Sequence, residues 1–335
     1  MTTPFLQKYL PAQSTLLAAS LLLASALPGR AADLLEAGKP LALAGTHGRF
    51  DFLAIDVDGR RLLAAHTGNG SLDVIDLDQA AVVKIVPTGA AQACAVDAKG
   101  KRYFASVSKP PQLVTLDAGT LEITGTVPLG GPADLMAFNA KTGHACVAHD
   151  DGKDLWVVDP KTKKVVATVA LPSDSPEDLA FDATFARLFQ SMKTGSVVAV
   201  IDTATNKVVG QWPTAPAEGP HGMTAVPEAG ALLLAGANGK LVMLSQKDGH
   251  VISSADIAKG VDQIAYDAGL HRVYCASATG KIVVVNVAKD KLTPAGEIAS
   301  ADGARSIAVD AKTHTVWIAY AKGEASFVQP FTVAK

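Results

Sequence analysis

The chain has 335 residues, of which 48 % are hydrophobic and 19 % charged, so it can bury a large core and is not a disordered segment. Its formal charge is −2. Residues 32–335 carry 28 basic against 32 acidic residues, a near-neutral balance that argues against a nucleic-acid or anionic-membrane partner as the default.

At the N-terminus, Lys8 precedes an apolar run over 15–27, the size of the hydrophobic region of a secretory signal and short for a bilayer span. Gly29-Arg30-Ala31 supplies a small-x-small cleavage site. The expectation is a signal peptide over 1–31 and one domain over 32–335, periplasmic or secreted, monomeric and with no membrane span once the signal is removed. An uncleaved signal anchor is the alternative. Cys94, Cys146 and Cys275 are an odd number without metal-ligand spacing; each lies in a predicted strand, where Cys acts as a small buried hydrophobe.

From residue 41 the chain repeats itself. An acidic or turn residue closes an apolar strand at Asp56, Asp97, Asn139, Asp182, Pro227, Asp267 and Asp310, at intervals of 41, 42, 43, 45, 40 and 43 residues. A second landmark follows 20 positions later at Asp76, Asp117, Asp159 and Asp202, then at Ser245 and Asn286. Around it stands the same hairpin, as in LDVIDLDQAAVVKIV, LWVVDPKTKKVVATV and VVAVIDTATNKVVGQW. A short carboxylate at this place can accept backbone N–H groups two residues on and start the turn. Each unit holds four strand-sized apolar runs, and four antiparallel strands per 40–45 residues is the spacing of propeller blades. Runs such as LLLAG and IVVVN are nearly continuous, as strands buried on both faces require. The seventh unit stops one strand short, and 41–56 aligns with 83–97. Residues 41–44 are therefore expected to pair with the last blade and close the ring, giving an all-β, seven-bladed β-propeller.

VVAVIDTATNKVV and LWVVDPKTKKVVATVALP resemble the YVTN-repeat family of bacterial and archaeal seven-bladed, WD40-like propellers, over about residues 40–331. The signature Tyr-Val-Thr-Asn is replaced here by Ala65-His66-Thr67, Ala148-His149-Asp150 and Ala276-Ser277-Ala278. The resemblance implies export, and many members of that family have no known activity.

Loops at one end of a propeller converge on its axis. Five residues before each first landmark stand Asp51, Gln92, Asp134, Glu177, Gly222, Asp262 and Arg305, with His221 beside Gly222. In-register repeats should bring these into one ring, where close carboxylates raise one another's pKa or recruit a cation. Alternatively, each carboxylate accepts backbone N–H bonds within its own turn. Ten residues after the landmark come His66 and His149, which with His221 could serve Zn or Cu, or simply stand hydrogen-bonded or solvated. Lys193 lies in a loop leaving a second strand, near where an anionic group would dock; an ordinary surface lysine is the alternative. G-x-S-x-G, SxxK and Cys–His nucleophile signatures are missing, and Trp156, Trp212 and Trp317 look like blade packing rather than a quinoprotein docking motif. The reading is a non-catalytic exported propeller that binds a small molecule or an envelope protein at its channel mouth, with no cofactor specified. A metal-dependent, lactonase-like hydrolase and a structural subunit of an envelope complex are the alternatives.

Overall fold

The computed structural model describes Met1 and residues 34–184 and 186–334. The expected signal segment therefore lies outside the described residues.

Seven antiparallel sheets follow one another along the chain, six with their strands in sequence order and the seventh joining the first strands of the chain to the last. Blade 1 runs from Leu53–Asp56 to Ala81–Pro87, and blade 2 from Ala91–Asp97 to Ile123–Pro128. Blades 3 to 6 begin with Ala133–Asn139, Pro176–Phe181, Pro220–Val226 and Val261–Asp267. Blade 7 consists of Ser306–Asp310, Thr315–Lys322 and Ala325–Val333. The second and third strands of each blade are buried on both faces, because blades stack face to face: Leu63 and Val74 of blade 1 share a cluster with Tyr103 and Val114 of blade 2. Equivalent clusters continue around the ring, and Leu62 and Ile75 meet Trp317 and Val328 across the join of blades 7 and 1.

Residues before blade 1 supply the missing fourth strand. Leu41–Ala42 pairs with Ala325–Val333 as the repeat alignment expects, and Leu35–Ala37 extends the pairing beyond it. The segment between them stays attached where it can donate, Gly38 N bonding Pro330 O at 2.8 Å; Pro40 has no N–H to give. Leu35 and Leu43 are buried beneath this strand, each contributing about 1.5–3 kcal/mol of apolar transfer.

The hairpin turns obey their sequence. Asp76 Oδ1 accepts the N–H of Asp78 and Gln79 at 2.9 and 2.8 Å, and Asp117 Oδ1 accepts Gly119 and Thr120 at 2.9 and 2.8 Å. The residue that returns the chain to the outer strand is left-handed, with Asn206 at φ 55° and Lys163 at φ 57°. The only helical element among the described residues is the single turn Pro227–Ala229. All three cysteines are buried and free.

Candidate functional site

Beta-bulges decide what the ring presents at the end where its innermost strands begin. In blades 3 to 6 the pairing of first and second strands skips two residues against one: Ala133 pairs with His149 and Met136 with Val147, leaving Asp134 and Leu135 outside the ladder. The corresponding pairs are Glu177 and Asp178, His221 and Gly222, and Asp262 and Gln263. A bulge bends its strand and re-aims a side chain that regular pleating would send elsewhere. The first residue of each pair turns toward a cavity of about 200 Å³.

That cavity is lined by Asp51, Gln92, Asp134, Glu177, Lys193, His221, Asp262 and Arg305, eight of the ten residues singled out in the sequence, drawn from all seven blades. Arg49, Phe52, Leu135, Asp150, Asp151 and Gln263 complete its wall. His66 does not reach it. Its ring is fully buried against Phe50, with Nδ1 2.7 Å from Asp73 Oδ2 and Nε2 3.0 Å from Ser326 Oγ, so it ties blade 1 to blade 7. His149 also turns away, packing on Trp156 with its buried Nδ1 3.7 Å from Asp154 Oδ2. The three imidazoles therefore do not meet around one ion.

In blades 4 and 6 the second residue of the bulge holds neighbouring blades. Asp178 is buried and accepts Met223 N of blade 5 at 2.9 Å as well as its neighbour Leu179 N at 2.8 Å. Gln263 receives Leu53 N and Ile307 N on its Oε1, both at 3.0 Å, and donates Nε2 to Leu53 O, joining blades 6, 7 and 1. Gly222 leaves no room for a side chain, since a Cβ there would stand 2.7 Å from Asp262 O. Hydroxyls from the preceding blade fix the backbone of the ring: Ser106 bonds Asp134 O at 2.5 Å, Ser191 bonds His221 O at 3.1 Å and Ser306 bonds Asp51 O at 2.9 Å.

The charges are unevenly shared. Arg49 and Arg305 contact Asp51 Oδ1 at 2.6 and 2.8 Å, and Arg305 Nε lies 3.1 Å from Asp262 Oδ2. His221 Nδ1 sits 3.1 Å from Asp262 and 3.6 Å from Glu177, with Lys193 3.8 Å from Glu177. Asp134 has no such partner among the described residues. Burial, reinforced by the Glu177 and Asp51 charges, pushes its carboxyl well above the usual carboxylate range. Burial likewise raises Glu177 to about 7, with His221 and Lys193 opposing and Asp262 adding to the rise. For Asp262 burial is outweighed by the His221 hydrogen bond and by Arg305, so its carboxyl lies low, while that same hydrogen bond raises His221. None of Asp51, Asp134, Glu177 and Asp262 accepts a backbone N–H among the described hydrogen bonds, so these carboxylates are not turn caps.

Phe52 and Gln263 also line a second cavity of about 270 Å³, walled mainly by apolar innermost strands of blades 1 and 3 to 7. A polar, mainly acidic end thus adjoins a bore walled by the innermost strands. Sequence spacing missed Arg49, Asp150, Asp151, Asp178 and Gln263; adjacent polar residues in PEDLAF and VDQIAY were the available sign of a bulge.

Fold and cavity together define a seven-bladed β-propeller with a charged ring at one end. No family model matches the chain, and no curated protein matches it. Among solved structures it is similar to hydrazine synthase of Kuenenia stuttgartiensis, at 14 % identity and TM-score 0.73 over 88 % of this chain and 99 % of that one. It is also similar to the WD40 repeats of RRP9, at 10 % identity and TM-score 0.74 over 88 % of this chain and all of that one. At such identities the likeness is one of fold alone.

Proposed function

We propose that this chain is an exported, non-catalytic propeller of the YVTN-repeat type whose mouth binds a small polar molecule or a segment of an envelope protein. One observation carries the reading: side chains from seven blades, in register, converge on one cavity, and bulges place Asp134, Glu177 and Asp262 outside the strand ladder. Native purification followed by mass spectrometry of whatever stays bound tests it. Replacing Asp51, Asp134, Glu177 and Asp262 together by Ala is expected to release the bound species; equal retention by the variant overturns the reading. Export rests on Lys8, the apolar run over 15–27 and the site ending at Ala31, so N-terminal sequencing of the exported chain is expected to start at Ala32.

A hydrolase is the second reading. It is favoured by Glu177, which burial raises to about 7, standing 3.6 Å from His221 in the cavity wall. A metal-dependent mechanism lacks its donor set: among the described residues no three His, Cys, Asp or Glu side chains are placed to hold an ion. Lactone turnover abolished by Glu177→Gln is what this second reading requires.

A further inference from the structure

Three ligand chemistries compete for the ring cavity: an anion, a metal ion or an organic cation. For an anion the cavity offers no free positive group. Arg49 and Arg305 already contact Asp51, Arg305 also reaches Asp262, and Lys193 and His221 face Glu177. An anion would have to break these contacts while entering among six carboxylates, where like charge and desolvation both oppose it. A metal ion needs several close oxygen or nitrogen donors, and among the described residues no three such side chains are gathered for one.

An organic cation meets neither objection. Asp134 is aimed into the cavity by its bulge and has no cationic partner among the described residues, although every other carboxylate of the registered ring has one. Glu177, from the next blade, is the charge that acts on it most strongly. Asp150 and Asp151, which follow the second strand of the same blade as Asp134, also line the cavity, with Arg49 acting on Asp150. About 200 Å³ is below the roughly 300–1,000 Å³ of drug-sized pockets, so the group that enters is compact. Resting on the mouth being the binding site, we infer that it takes an ammonium or guanidinium group, with Asp134 as the principal acceptor and Glu177 as the second. Either a free small molecule or a Lys or Arg side chain of a partner carries the charge; the chemistry of capture is the same.

Nuclear magnetic resonance titration of the folded chain tests this with four probes: n-butylguanidinium, acetyl-Gly-Arg-Gly-amide, acetate and Ca²⁺. Saturable shifts at Asp134 and Glu177 with the guanidinium probes are expected, weakened about tenfold or more by Asp134→Asn, since a charge-assisted hydrogen bond is lost. Tighter binding of the peptide assigns the charge to a partner's side chain, and equal binding to a small molecule. The wild-type titration stands whether or not Asp134→Asn folds, and Glu177→Gln supplies a second variant. Saturation by acetate or Ca²⁺ in place of guanidinium overturns the ligand class while leaving the mouth as the site. Silence of the cavity residues toward all four probes overturns the class, and the native-purification comparison then decides separately whether the mouth binds at all.

Discussion

Two sets of carboxylates recur in this chain with the blade period, and Asp117 and Asp202 of one behave oppositely to Asp134 and Glu177 of the other. Those of the hairpins accept backbone N–H groups: Asp117 from Gly119 and Thr120, Asp202 from Thr205. Hydrogen bonds from Thr120 and Gly119 hold the Asp117 carboxyl below its ordinary range, and those from the Thr205 side chain and backbone do the same for Asp202. Asp134 and Glu177 meet no such donor, and loss of water pushes both up. Carboxylates repeated at two different positions of the blade therefore become a turn at one and a group facing a cavity at the other. For Asp134 and Glu177 the bulge takes the residue out of the ladder and turns it toward the axis.

Both sets presuppose a closed ring. Deleting residues 34–45 removes the outer strand of blade 7 along with buried Leu35 and Leu43, and leaves Ala325–Val333 as an open edge. The largest expected effect follows from this deletion: loss of the single cooperative melting transition. A truncated chain that melted as the intact one does would show that the hairpin turns and blade faces hold the ring without a latch.

A turn aspartate that also carries an ion pair separates the two behaviours. Asp310 accepts Lys312 N at 3.1 Å and Thr313 Oγ1 at 2.6 Å, and binds Arg60 of blade 1 through both oxygens at 2.9 and 2.8 Å. Burial alone would raise its carboxyl, but the Arg60 hydrogen bond prevails and it lies low. Asp310→Ala leaves Arg60 half-paired at the join of blades 7 and 1, and is expected to cost about 2–4 kcal/mol by denaturant titration at pH 7. A depressed carboxylate stabilises above its unfolded pKa and ceases to as pH falls through the folded value. The difference between variant and wild type should therefore shrink below about pH 4.

Much of this architecture is legible in the sequence. Asp56 to Asp310 mark seven innermost strands because each blade must turn at the same point, and the hairpin aspartates announce the next turn by the same logic. The ring is legible to the extent that equal spacing implies equal height. What spacing cannot give is depth and aim. His66 shares its register with His149, yet Asp73 and Ser326 enclose the first and Trp156 flanks the second; such neighbours come from other strands and other blades. The same holds for Gln263, whose partners Leu53 and Ile307 are 210 and 44 residues away. The fifth pairing segment, Leu35–Ala37, is hidden because Gly38, Lys39 and Pro40 interrupt its strand pattern.

The raised cavity carboxyls make the opposite pH prediction. Glu177 has a folded pKa of about 7 against an ordinary value of 4.5, so the folded chain holds this proton more tightly than the unfolded one. Wild-type stability should consequently fall as pH rises from 4.5 to 7 through this group, and recover nothing above it. Glu177→Gln removes the titration while keeping the shape. It is expected to be more stable than wild type at pH 8, by about 1–3 kcal/mol in denaturant titration, with the advantage fading toward pH 5. An advantage that is equal at both pH values would mean that the charge of Glu177 is fully offset by Lys193 and His221.

The smallest effect tests the other half of the comparison. Asp117 and Asp202 lie at the surface, so replacing either by Ala exposes backbone N–H groups that water can satisfy in place of the carboxylate. The cost is confined to a looser turn, and in a chain of 335 residues the melting temperature should drop by no more than about 2 °C. Because these carboxyls are depressed, the loss should be present at pH 7 and at pH 5 alike and vanish only as pH falls through their folded values, where Glu177→Gln has long since lost its effect. Opposite pH profiles from two equally repeated carboxylates would tie the divergence to backbone geometry. Parallel profiles would mean that the bulges re-aim the side chains without changing what they do.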